Sequence, residues 1–136
     1  MTRRTVVVRG TKATLVSAAA ATADYTVWHR LVEWSDDVSA AASGAMGAGW
    51  SEALLALAVG LTSMPVLLWA GMRLLGERGN HLLILAGTPL WWLIGGRAVG
   101  NSPGPATTVL LLTLFTLLAG LLSLPEVPAT TPPRAG

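Results

Sequence analysis

At 136 residues the chain has the size of one domain or one small helical bundle. Just over half of it (52%) is apolar and only 12% is charged, where soluble domains carry about a quarter charged residues, so the composition points to a protein that faces lipid. A net charge of +2 with no cysteine excludes a disulfide framework, a thiolate metal site and a cysteine nucleophile. Basic residues are nearly all arginine, with Lys12 the single lysine, and Ala, Gly and Leu are abundant. That bias suggests a GC-rich bacterial genome.

Residues 1–12 form a basic arm holding Arg3, Arg4, Arg9 and Lys12. Such an arm can touch anionic lipid or nucleic acid, or simply help to fix topology as a solvated tail; with no interleaved aromatics or nucleic-acid motif, nucleic acid is not expected as a partner. Arg3-Arg4 before Val6-Val7-Val8 and the triplet Ala21-Thr22-Ala23 loosely follow a twin-arginine signal with an A-x-A cleavage site, although the apolar stretch between them is weak. In residues 24–34, Tyr25, Trp28, Leu31 and Val32 share one helical face among Asp24, His29, Arg30 and Glu33. This predicts an amphipathic helix in the membrane interface, or a surface helix packed on a bundle. The Ala/Gly/Ser composition of residues 35–49 predicts a flexible linker or a loosely wound helix entry.

Three apolar spans follow, at about residues 51–75, 81–96 and 106–124. Between Glu52 and Glu126 the charged residues are Arg73, Glu77, Arg78 and Arg97 alone. Residues 53–72 carry no charge over a length that crosses about 30 Å of hydrocarbon. Ser51 and Glu52 are expected to cap the first span, and Pro65 to kink it. The turn-rich Gly76, Glu77, Arg78, Gly79 and Asn80 should make spans one and two an antiparallel hairpin. Gly87, Pro89, Gly95 and Gly96 loosen the second span, which could also be re-entrant. Gly100 to Pro105 is a breaker cluster, and Pro125 stops the third span. Residues 125–136, rich in Pro and Thr, are expected to be disordered. The expected fold is therefore all-α: an antiparallel up-down bundle of three transmembrane helices over residues 50–124, preceded by an amphipathic or surface helix within residues 1–49.

Trp50, Trp69, Trp91 and Trp92, with Arg73, Arg78 and Arg97, are expected as membrane-interface anchors, because an indole ring is apolar while its N–H seeks water. Ala56 and Gly60 in the first span, and Thr113, Thr116, Gly120 and Ser123 on one face of the third, are expected at helix–helix contacts, where small and hydroxylic residues permit close approach. The hydroxyls could instead bond back to their own helix.

No ionisable residue is expected at mid-membrane, which argues against a pump, a proton-coupled transporter or an intramembrane hydrolase. His29 and His81 have no carboxylate partners at ligand spacing, and the glycines of residues 44–49 lack the Lys-Ser/Thr of a phosphate loop. No catalytic residue, cofactor or metal is expected. The sequence suggests a non-enzymatic accessory or self-associating subunit, forming a homo-oligomer or part of a larger complex in the bacterial cytoplasmic membrane. A holin-like permeabilising protein and a membrane component of a DNA-transfer or secretion apparatus are alternatives. Orientation is contested: the basic arm and Arg30 favour a cytoplasmic N-terminus, but in a three-span layout Arg73 and Arg78 fall on the opposite side.

Overall fold

The computed structural model describes residues 3–42, 45–76, 81–101 and 103–124. They form four helices: α1 (Arg3–Ala41), α2 (Trp50–Leu74), α3 (His81–Gly100) and α4 (Pro105–Leu122). Three of them, α2, α3 and α4, are long and apolar enough to cross a membrane.

The N-terminal helix is longer than the composition suggested. Residues 3–41 contain no proline and a single glycine, Gly10, and alanine dominates the middle, so intrinsic propensity favours one unbroken helix. It runs through the stretches expected as a basic arm, an interfacial helix and the start of a linker, and extends about 58 Å at 1.5 Å per residue. Ala21-Thr22-Ala23 lies in mid-helix, with Ala21 packed in the core.

The turn into α2 depends on Gly49. Its φ of 79° is left-handed, and a Cβ there would overlap the Ser39 hydroxyl, so only glycine brings the end of α1 this close to the start of α2. Gly49 is also the residue preceding the helix, with no side-chain cap. The cap expected of Ser51 is not made, because α2 starts one residue earlier. Ser51 lies within the first turn and donates to Glu52 Oε2 at 2.7 Å.

Both expected prolines are accommodated without ending a helix. Pro65 lies inside α2 and Pro89 inside α3. At 20 residues α3 spans about 30 Å, the hydrocarbon thickness, and gives no sign of re-entry. Pro65 has no N–H, which leaves the carbonyl four residues earlier, that of Leu61, without its helical partner. Trp92 of α3 fills the gap: its indole Nε1–H donates to Leu61 O at 3.1 Å.

Contacts between the helices fix the topology. Along the α1–α2 seam, Val16 meets Gly71, Trp28 meets Gly60 and Ser39 meets Gly49, so the two run antiparallel. Leu124, just beyond α4, meets Gly10, and Gly120 of α4 meets Thr14, so α4 is again antiparallel to α1. Leu68 lies against Gly87, and Leu61 against Trp92, setting α3 antiparallel to α2. The result is a closed up-down-up-down bundle in which α1 lies between α2 and α4. Its core holds Met64, Leu68, Leu83, Trp91 and Phe115, with alanines of α1 and α4.

This register carries a consequence the amino-acid pattern concealed. Residues 16–39 of α1 lie alongside residues 49–71 of α2, so α1 occupies whatever depth α2 occupies. Residues 24–34 are therefore not a separate interfacial segment; they run beside α2 from its middle, at Asp24, towards its N-terminal end.

Candidate functional site: a buried carboxyl at mid-depth

α2 has 25 residues and its midpoint falls beside Ser63. At that level Asp24 of α1 turns inward and is 1% exposed. Helical periodicity puts it there: Ser17, Asp24, Trp28 and Ser35, spaced by seven, four and seven, are all buried on one face of α1. Ser63 donates to Asp24 Oδ1 in a short hydrogen bond. The same Ser63 oxygen lies 2.6 Å from the carbonyl of Val59, one turn back on α2. The indole N–H of Trp91, from α3, approaches the carboxyl from the third side, but does not meet hydrogen-bonding geometry with any acceptor. Asp24 Oδ2 has no hydrogen-bond partner. Phe115 of α4 meets Trp91 edge-on, with ring centroids 5.0 Å apart. Each of the four helices thus sends one residue to this level: Asp24, Ser63, Trp91 and Phe115.

The expectation that mid-membrane holds no ionisable residue fails here. Asp24 belongs to a helix that packs along α2, with its carboxyl beside Ser63, and not to an interfacial segment. An ionised aspartate at the centre of a span costs about 2.5–3.5 kcal/mol on insertion scales, so the group is expensive unless something neutralises or solvates it. No positively charged side chain among the described residues stands at this level. The described charges of α2 are Glu52 and Arg73, that of α3 is Arg97, and α4 has none. Among the described residues no group of three or more His, Cys, Asp or Glu could hold a metal ion.

Other expected site residues are redistributed. Ala56 and Gly60 are buried, and a Cβ on Gly60 would overlap the Trp28 ring; they meet α1 of the same chain. Gly120 packs on Thr14, again in α1, and Ser123 is buried. Thr113, Thr116 and Ser123 bond back to Val109 O, Leu112 O and Gly120 O, at 2.8, 2.8 and 2.6 Å.

Among the anchors, Trp50 and Trp69 are exposed, and the Arg73 guanidinium lies 5.6 Å from the Trp69 ring centre. Arg97 is exposed in the last turn of α3. Trp91 and Trp92 are corrections to the interface assignment. Because α3 continues to Gly100, both fall near its middle: Trp91 is fully buried beside Asp24, and Trp92 completes the proline gap of α2. Arg78 and residues 125–136 lie outside the described residues.

The sequence signal that would have revealed the site was present in α1. A proline-free, alanine-rich run with a period-seven polar face can pack along a span, and an acidic residue on that face must find a partner inside. No family model matches the chain, and no curated protein or solved structure is similar to it.

Proposed function

We propose that this chain is a non-enzymatic subunit of the bacterial cytoplasmic membrane, one that associates laterally with a second copy of itself through the outer face of α1. One observation carries the reading. The outward surfaces of α2, α3 and α4 are lipid-like, with Leu55, Val66, Leu85, Leu93, Leu110 and Leu117 exposed. At the same depth α1 shows Ala19, Thr22, Ala23 and Thr26. Small, hydroxylic surfaces at span depth pack well against another helix and poorly reward contact with acyl chains. The Thr22 and Thr26 hydroxyls are already bonded to Ala18 O and Thr22 O, at 2.9 and 2.7 Å, so the face offers close approach without unsatisfied groups. Asp24, the ionisable group at mid-depth, is buried within the chain's own four helices, away from any surface where a substrate could dock, which supports a non-catalytic reading.

The four-helix register also supports a cytoplasmic N-terminus. With α1 running the length of α2, Arg9 and Lys12 fall at the same end as Arg73, and Lys12 Nζ donates to Leu75 O at 3.3 Å. Glu33, Asp36, Asp37 and Glu52 gather at the other end, beside Arg30 and Arg97. Positive residues collect on the cytoplasmic side, and in this register Arg73 counts with the basic arm instead of against it.

Single-cysteine crosslinking in native membranes tests the proposal, and the cysteine-free chain makes it clean. Thr22→Cys and Thr26→Cys should yield crosslinked dimers, and Leu85→Cys should not. Crosslinking from α1 only to a different membrane protein would replace self-association with an accessory role. No adduct from α1 at all would remove the basis of the reading.

A further inference from the structure

We propose that Asp24 is a proton-binding site in the middle of the bundle, with Ser63 as the residue that senses its occupancy. The Ser63 hydroxyl has one hydrogen, yet its oxygen lies within bonding distance of two acceptors, Asp24 Oδ1 and Val59 O. With Asp24 ionised, that hydrogen serves one contact and leaves the other a close oxygen–oxygen approach with no hydrogen in it, while Val59 O keeps its helical bond from the Ser63 backbone N–H. With a proton on Oδ1, the carboxyl donates to the Ser63 oxygen and Ser63 donates to Val59 O. Both contacts of the Ser63 oxygen then carry a hydrogen, from α1 through the side chain of α2 to its backbone.

The geometry selects a proton over a metal ion. A cation needs several oxygen ligands, whereas this cluster presents a carboxyl and a hydroxyl on one side and the Trp91 indole N–H on another. An indole N–H, which can donate but not ligate, repels a metal ion and tolerates a nearby carboxyl in either state.

The groups packed around Asp24 leave it to titrate alone. Ser63 faces it from α2 and Trp91 from α3, while Phe115 of α4 stands behind Trp91. On α1 the nearest titratable groups are Tyr25 and His29, which stack on each other with centroids 5.5 Å apart. His29 is also paired to Glu33 at 3.5 Å. The proton comes from water and returns to water, and no other reactant is needed. Losing it leaves one of the two Ser63 hydroxyl contacts without a hydrogen and puts a charge beside Trp91, so release loosens α1 from its two neighbours. This inference stands whether or not α1 meets a second copy.

Infrared spectroscopy of the full chain in lipid nanodiscs, titrated from acid to alkaline pH, reads the proton directly. Labelling the aspartate carboxyl carbons confines the signal to Asp24, Asp36 and Asp37, of which the last two are exposed. The expected result is a protonated-carboxyl band that is lost in Asp24→Asn and fades as pH rises. The fluorescence of Trp91, taken as the difference from Trp91→Phe, should change over the same range. Ser63→Ala, which leaves the carboxyl in place, should keep the band and displace its midpoint. The proposal is overturned by the absence of an Asp24-dependent band at every pH, by a band that never fades, or by an unmoved midpoint in Ser63→Ala.

Discussion

Replacing Trp92 with phenylalanine isolates the repair of the proline gap. Pro65 removes the N–H that would have bonded Leu61 O, and the Trp92 indole supplies a substitute at 3.1 Å. Phenylalanine keeps the ring and loses the donor. A net hydrogen bond is worth about 0.5–1.5 kcal/mol, and side-chain hydrogen bonds between membrane helices average about 0.6 kcal/mol. Trp92→Phe should therefore cost about 1 kcal/mol, roughly a fivefold change in the unfolding equilibrium. In a Pro65→Ala background the alanine N–H takes Leu61 O as an ordinary helical partner, and the indole becomes redundant. There Trp92→Phe should cost only the small difference in ring area, so the double-mutant cycle yields a coupling energy close to the whole hydrogen bond. Reversible unfolding in mixed micelles, followed by circular dichroism for the four chains, provides the numbers. Equal costs of Trp92→Phe in the two backgrounds would refute the reasoning, since the indole would then matter for reasons unrelated to the proline.

Two further outcomes follow from the packing. Gly60→Val should destabilise the bundle by about 1–3 kcal/mol through overpacking against the Trp28 ring, and the same substitution in a Trp28→Ala chain should cost clearly less; identical penalties in the two unfolding titrations would mean the ring is not the obstacle. Trp91→Ala should cost about 3–5 kcal/mol, the range for a fully buried large side chain, while Trp50→Ala, at 68% exposure, should stay within about 0.5 kcal/mol. Similar losses for the two would restore the interface assignment of Trp91.

What the sequence disclosed was governed by lipid, and what it hid was governed by neighbours. The three apolar spans are legible because a stretch between Glu52 and Arg73 without charge has few fates other than a bilayer. α1 was misdivided because Arg9, Lys12, Asp24 and Arg30 interrupt its hydrophobicity, and a hydropathy argument treats each as a barrier to burial. In the bundle, Asp24 is buried against Ser63 and Trp91, while Lys12 reaches the backbone at the end of α2. The small residues Ala56, Gly60 and Gly120 were recognisable as contact positions, but nothing in their spacing says that the partner is the chain's own first helix. Trp91 and Trp92 were placed by the general preference of indole for headgroups. A proline four residues beyond an otherwise unpaired carbonyl was visible in α2, and it is the one local clue that an indole could be needed at mid-depth.

The burial of Asp24 also imposes an order on assembly. A ribosome releases α1 first, yet α1 is the one helix of the four that lacks the apolarity to cross a membrane by itself. Its carboxyl meets Ser63 of α2 and Trp91 of α3, both made later, and its thread of small residues closes against α4, made last. The first helix to be made is thus the last that the bilayer can accept. The first helix must wait outside the hydrocarbon until the other three have built the interior that receives it.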